Sequence, residues 1–395
     1  MAIKRVFLII MDSFGIGAEP DAADFGDEGT NTIASCASSA EFSCPNLARL
    51  GLFHIDGVDC GSPAYHTLEP DGSYARLRER SAGKDTIIGH WELAGLISEK
   101  PMPTFPDGFP QAFLERFEQA AGRKCIVNRP YSGTEVIRDY GMEHLQTGAL
   151  IVYTSADSVF QIAANEAVVP LEELYRDCEI ARKMLTGDLA VGRVIARPFT
   201  GNSPETFKRT SERHDYALSP FAPTMLDVLK AAGKDVIGVG KIGDIFNMQG
   251  LTESTHTTGN ADGCRLTKSI QERTDWSGLC FVNLVDFDML YGHRRDIDGY
   301  AQAVAGFDSW LAGFLADMRE DDLLLISADH GCDPAFQKTT DHTREYVPLL
   351  LYGKQVKSID LGTRNGFVHA AGTVCSALGI DSAFRGDSLW EEIRR

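Results

Sequence analysis

The chain has 395 residues, more than one hydrophobic core usually supports, so two domains are expected. Apolar residues at 43% and charged residues at 24% are ordinary for a soluble globular protein, and no stretch approaches the roughly 18 uninterrupted apolar residues of a membrane span. A net charge of −18 argues against a nucleic-acid partner, whose phosphates need a basic face, and leaves any phosphate chemistry dependent on local cations.

Nine cysteines are scattered without a C-x-x-C pair, which reads as reduced thiols. The N-terminus runs straight into a strand-like segment after Lys4 and Arg5, with no small-residue cleavage site. A cytoplasmic location is therefore expected.

The first element, Val6 to Met11, is an apolar run rich in β-branched residues, as in a strand buried on both faces of a parallel sheet. It ends in Asp12, followed by a turn at Gly15 and Gly17. The carboxyl ends of such strands are where ligands sit, although Asp12 reads equally as a helix cap.

Residues 80 to 100 read RSAGKDTIIGHWELAGLISEK. This is not a phosphate loop of the Walker kind, because Asp85 separates Lys84 from Thr86. What remains is a threonine hydroxyl at an expected helix N-terminus, where free N–H groups and the helix dipole favour phosphate. Asp85 or Thr86 acting as a plain N-cap explains the same residues.

From Pro101 the composition shifts to PMPTFPDGFP, with four prolines in ten residues, which is linker chemistry. Helical patterns at 111–120 and 171–185 and strand-like runs at 149–153 and 191–196 follow, and a second proline-bearing boundary, LSPFAPT, lies at 218–224. An inserted domain at 101–217 is expected within a core built from 1–100 and 218–395. The insert carries Asp157 after a strand-like run, and Arg193, Arg197, Lys208, Arg209 and Arg213 form a basic cluster in an acidic protein. Such a cluster is a solvated surface unless it faces a phosphate, which the planar guanidinium fork matches.

After the insert, a helix from Met225 to Ala232 and a strand from Asp235 to Gly240 lead to Lys241. The strand Leu279 to Val285 runs into Asp286, Phe287 and Asp288, with His293 five residues beyond Asp288. A helix over about 298–318 then places Val304, Phe307, Leu311, Phe314 and Leu315 on one face. The strand Leu323 to Ile326 leads to Asp329 and His330, and His342 follows after a loop. The last apolar run, Val347 to Tyr352, carries Pro348 and is expected at a sheet edge or a strand start.

Three buried strands thus lead into Asp12, Asp288 and Asp329, with His293, His330 and His342 in the loops that follow. Mixed N and O ligands suit Zn, Mn or Fe better than Ca. Six such ligands divide into two metal sites, of the kind that lie about 3.5–4 Å apart and clamp an in-line phosphoryl displacement. A hydroxyl beside them, Thr86, becomes a candidate covalent phosphate carrier.

The segments MDSFGIG, AGKDTIIGHWE, TSADSVFQIAA, GRVIARPF, RHDYAL, VGKIGDIF, NLVDFDMLYGHRRD, SADHGCDP and TDHTREYVPLL together resemble the phosphopentomutase family of the alkaline phosphatase superfamily. The resemblance covers nearly the whole chain. It implies an α/β fold, an alkaline-phosphatase-like core with a mostly parallel sheet flanked by helices, plus a smaller inserted α/β cap domain. It implies reversible phosphate transfer between C1 and C5 of ribose or 2-deoxyribose, through a phosphothreonine at Thr86 and a bisphosphate intermediate. Two Mn²⁺ ions are implied, one at Asp12, Asp329 and His330 and the other at Asp288, His293 and His342, with a sugar bisphosphate as activator.

By the same resemblance Asp157 matches a sugar-hydroxyl contact, and Arg193, Arg209 and Lys241 match groups near the substrate phosphate. The insert is expected to close over the intermediate and exclude water. The implied partner is a small pentose phosphate, with no nucleic acid and no membrane; nothing bears on oligomeric state. A related metal-dependent phosphatase or phosphoglycerate mutase is the alternative, favoured by a Ser at position 86 or by an insert without Asp157 and its basic cluster; this chain has neither. A non-catalytic, metal-stabilised phosphosugar-binding protein is the alternative of another class, and the intact Thr86 argues against it.

Overall fold

The computed structural model describes residues 2–155 and 157–395; Ala156, inside the TSADS segment, lies outside the described residues. The chain forms two compact units, Met1–Pro101 with Pro220–Arg395, and Met102–Ser219.

The first unit is built on an eight-stranded sheet. Its order is Glu253–Thr255, Asp235–Val239, Gly278–Leu284, Arg5–Met11, Asp322–Ser327, Val347–Tyr352, Ser73–Arg78, Asp360–Asn365. The first five strands run parallel, and their uninterrupted apolar runs follow from burial of the central strands on both faces. Each fully buried Val, Leu, Ile or Phe contributes about 1.5–3 kcal/mol, so this centre is a rigid platform. Register matters most for function: Met11 lies opposite Leu284 and Ile10 opposite Ser327. Three neighbouring strands therefore end at one level, and whatever follows them converges.

The helix Ile297–Ala316 covers the sheet with Tyr300, Val304, Phe307, Leu311 and Phe314, the three- and four-residue spacing of an apolar stripe. Val347–Tyr352 corrects one half of an expectation. Pro348 does stand near the strand start, but the strand is interior, pairing antiparallel with Asp322–Ser327 on one side and Ser73–Arg78 on the other. A proline at the second position costs this strand little of its ladder, which is why it is tolerated off the edge.

The second unit is a six-stranded mixed sheet: Cys125–Pro130, Leu150–Thr154, Val159–Asn165, Arg193–Thr200 and Lys208–Arg209 in order, with His214–Ala217 also paired to Arg193–Thr200. Helices Gln111–Ala121 and Leu171–Met184 pack on one face around Phe113, Phe117 and Phe160, and Glu135–Thr147 on the other around Ile151 and Phe199. Among the described residues no helix is long and apolar enough to cross a membrane, and all nine cysteines are free.

Candidate metal centre

Asp12 follows Met11 directly, and Asp329 stands two residues beyond Ser327 on the neighbouring strand. Both are fully buried, with His330 beside them. Asp288 arrives by a different route. Residues Phe287–Gly292 form a single π-helical turn, closed by an i→i+5 bond from His293 N to Asp288 O of 3.2 Å. An α-helix would turn residues five apart by roughly 140° from each other, whereas the wider π-turn brings Asp288 and His293 to one side. The loop after His330 is pinned by a two-bond bridge between Gly331 and Thr343. That bridge stacks the rings of His330 and His342, with centroids 3.9 Å apart.

The result is a cluster whose acceptors face one another. His330 Nε2 lies 3.2 Å from Asp329 Oδ2 and 3.6 Å from Asp12 Oδ1. His293 Nε2 lies 3.3 Å from Asp288 Oδ2, His342 Nε2 lies 3.5 Å from Asp288 Oδ1, and the two Nε2 atoms are 3.2 Å apart. The far side of two rings is tied to main-chain carbonyls: His330 Nδ1 donates to Gly331 O and His293 Nδ1 to Thr340 O. Those bonds turn Nε2 of each ring inward, the nitrogen that a metal-ligating imidazole offers once a cation has displaced its proton.

Asp12 Oδ1, Asp288 Oδ1 and Asp329 Oδ2 are sealed from solvent without a hydrogen-bond partner among the described residues. Buried carboxylate oxygens are costly in that state. Lone pairs and anionic oxygens converging in this way repel each other, and divalent cations are the groups that satisfy them. The residues therefore fit a metal; Asp12, Asp329 and His330 make one set of atoms within 4.8 Å of each other, and Asp288 belongs to two further sets, with His330 and His342 and with His293 and Cys332.

Protonation follows the same crowding. Burial, then the charges of Asp329 and Asp288, push Asp12 up to about 7. For Asp329 burial is outweighed by His330 and His90, and for Asp288 by His342 and His293, so both stay below the usual carboxylate range. Burial opposes a charge on His330, but Asp329 and Asp12 pull it up to about 10, while burial and His330 push His342 down to about 3.

Thr86 reaches this cluster from the helix Thr86–Leu93, whose N-cap is Asp85, accepting from Ile87 N and Ile88 N. The cap and the hydroxyl are thus different residues, and Thr86 Oγ1 is left free to lie 3.1 Å from His330 Nε2. Gly89 makes the approach possible, since a Cβ there would sit 2.0 Å from Asp329 O. Lys241, at the end of Asp235–Val239, faces the cluster closely enough for its charge to lower Asp12's pKa.

Two residues that sequence reasoning passed over complete the surroundings. His90, one helical turn after Thr86, places Nδ1 3.1 Å from Asp329 Oδ2 and 2.9 Å from Thr86 O. Asn283 Nδ2 donates to Asp12 Oδ2 at 2.9 Å and to His90 Nε2 at 3.3 Å, so the His90 proton sits on Nδ1, where Thr86 O accepts it and the ring packs against Asp329. The i, i+4 spacing from Thr86 and a lone polar residue in the apolar run LCFVNL were the available signals.

The remaining candidates lie in the second unit. Asp157 precedes Val159–Asn165 and Arg193 begins Arg193–Thr200, and those strands pair from Val159 opposite Arg193, so the two residues share one end of the sheet. Arg193 also approaches Asp215 at 3.6 Å. Arg209 pairs with Phe199 at the other end of Arg193–Thr200, where it lines a cavity of about 500 Å³ with Arg197, Lys208 and Arg213.

An α/β core with a ligand cluster at its strand ends defines a metal-dependent enzyme, and a family model described as the metalloenzyme superfamily matches residues 4–382. Its fold is alkaline-phosphatase-like and is shared, at a TM-score of 0.50, by a protein from Pyrococcus horikoshii (13% identity, 97% of this chain and 98% of that one). A phosphoglycerate mutase from Leishmania mexicana has the same TM-score (12% identity, 97% and 96% covered). Sequence similarity is far closer to proteins named phosphopentomutase: 56% identity to that of Lachnoclostridium phytofermentans over 99% of both chains. That of Acetivibrio thermocellus is 54% identical, over 98% of this chain and 99% of the relative, and that of Carboxydothermus hydrogenoformans 53%, over 100% of both. The chain belongs to the phosphopentomutase family, and it is a metal-binding enzyme of the isomerase class.

Proposed function

We propose that this chain interconverts the 1- and 5-phosphates of ribose or 2-deoxyribose, carrying the phosphoryl group on Thr86. The observation that carries the reading is the Thr86 hydroxyl, partly exposed, 3.1 Å from His330 Nε2 at the edge of a buried ligand cluster. Asp12, Asp329 and His330 would hold one divalent ion, and Asp288, His293 and His342 a second, with Mn²⁺ the ion the family resemblance favours. When bound, such ions supply positive charge against phosphoryl oxygens and lower the pKa of a coordinated hydroxyl.

The chain's own residues do the rest. Phosphorylated Thr86 gives its phosphoryl group to the free hydroxyl of the bound pentose phosphate: the bond from phosphorus to Thr86 Oγ1 breaks, one to the sugar oxygen forms, and the sugar proton ends on Oγ1. The bisphosphate turns around. Thr86 Oγ1 then takes the other phosphoryl group and returns a proton to the sugar oxygen it frees. A sugar bisphosphate acts as activator by charging Thr86 in this second step. Asn283 and His90 hold Asp12 and Asp329 in place through the bonds described above, and fixed placement of reacting groups is a large part of such catalysis. Asp157, Arg193, Arg209 and Lys241 are assigned to the sugar and its outer phosphate, and the inserted unit to keeping water from the phosphothreonine.

The test is a coupled assay of ribose 5-phosphate formed from ribose 1-phosphate with Mn²⁺, comparing wild type with Thr86→Ala. Loss of turnover in the variant is expected. Equal turnover by both proteins refutes the covalent route.

A further inference from the structure

One group at the centre has no part in the reading above. Cys332 is 1% exposed, and its main chain is held by Ser13 O and Thr32 Oγ1, each 3.2 Å from Cys332 N. Its thiol packs on the π-helical turn: a Cβ at Gly292 would lie 2.9 Å from Cys332 Sγ, so only glycine allows the contact. Among the described residues the sulfur's one hydrogen bond is a long one, 3.7 Å to Asp341 O. Sγ, an Asp288 carboxylate oxygen and a His293 ring nitrogen lie within 4.8 Å of one another. Asp288 is 4% exposed, and its Oδ1 has no hydrogen-bond partner among the described residues.

We propose that Cys332 is a soft alternative ligand at the Asp288–His293 position, which gives this site a built-in affinity for thiophilic divalent ions such as Zn²⁺ and Cd²⁺. The proposal rests on the reading of Asp288 and His293 as metal ligands. Imidazole and carboxylate alone suit Mn²⁺, whereas a thiolate selects softer ions. Asp288, His293 and Cys332 with one open position make the three-ligand set that tetrahedral Zn²⁺ accepts. A metal–sulfur bond forms as the S–H bond breaks, and the proton passes to solvent. An ion seated on Cys332 in place of His342 arrests the enzyme, so the consequence is inhibition by soft metals in the presence of Mn²⁺.

The test uses full-length protein freed of metal and titrated with Co²⁺, in wild type, Cys332→Ser and Cys332→Ala. Wild type is expected to show visible d–d bands together with a near-ultraviolet sulfur-to-cobalt charge-transfer band; both variants keep the d–d bands and lose the charge-transfer band. Wild-type d–d bands without charge transfer overturn the proposal and leave the ligand reading of Asp288 and His293 standing. Absence of both bands in all three proteins overturns the two together, and a charge-transfer band that survives in the variants assigns the sulfur elsewhere and overturns it as well. With Mn²⁺ present, the Cd²⁺ concentration that halves each protein's own rate is expected to rise about tenfold in Cys332→Ser. Unchanged sensitivity overturns the inhibitory role.

Discussion

The strands Arg5–Met11 and Asp322–Ser327 carry buried charge at both ends, and the two ends are built on opposite terms. At the amino end Arg5, 2% exposed, makes two bonds to Asp322, Nε to Oδ1 at 2.7 Å and Nη2 to Oδ2 at 2.6 Å. Its Nη1 donates to Gln271 O and Arg273 O, and Asp322 Oδ2 also accepts from Arg319 N. Charge there is matched within the chain. At the carboxyl end Asp12, Asp288 and Asp329 face one another and inward-turned imidazoles, each keeping an oxygen without a hydrogen-bond partner among the described residues. A pair satisfied inside the chain is architecture; an unsatisfied convergence awaits a ligand.

The largest expected effect tests the unsatisfied end. Asp288→Asn keeps size and removes one anion, so turnover should fall by about a thousandfold or more, with the melting temperature of metal-depleted protein unchanged or raised. A variant that loses stability in step with activity would move Asp288 to the architectural side. Arg5→Met should do the reverse: it leaves Asp322 buried and unpaired, at a cost of about 3–5 kcal/mol in urea denaturation, while the folded fraction keeps its kcat. Unchanged stability in Arg5→Met would break the contrast at its other end.

Smaller effects sharpen it. His90→Ala removes the ring that braces Asp329 without removing a proposed ligand, and Mn²⁺ affinity measured by calorimetry should fall about 10–100-fold with little change in fold. Metal affinity equal to wild type would remove His90 from the centre. His144, in the inserted unit, shows a third way to bury an ionisable group, by keeping it neutral. Its Nδ1 donates to Ala149 O at 2.6 Å, its Nε2 accepts from Asn165 N at 2.8 Å, and burial holds its pKa below the usual 6.5. The unfolded chain takes up this proton near pH 6.5 and the folded chain resists it, so stability is complete above that pH and declines as the pH falls below it. Carboxyls such as Asp12, raised to about 7, slope the other way, so the contribution is read as a difference: from about pH 7.5 to 5 the wild type should lose stability relative to His144→Gln, and a constant difference would contradict it.

Much of the centre was legible because it lies where buried parallel strands stop. An apolar run with no alternation marks such a strand, and the Asp or His after it is thrown to one level by register, as Asp12 and Asp329 are. Asp288 and His293 were visible as residues, but the π-turn that joins them leaves no pattern in composition. Pro348 left edge and strand start open, and the structure takes the second: a proline there removes only one donor, which an interior strand can spare. His90 and Asn283 had only faint signals, a helical spacing and a lone polar residue, because their partners Asp329 and Asp12 lie in segments far away in the chain. Charge along the chain grouped Arg193 with Arg209 in one basic cluster, and the sheet sets them at opposite ends of Arg193–Thr200.

The most direct test is anomalous diffraction from crystals grown with Mn²⁺. Two peaks are expected, one enclosed by Asp12, Asp329 and His330 and one by Asp288, His293 and His342, with Thr86 Oγ1 beside both. A single peak, or manganese bound away from these six side chains, would contradict it.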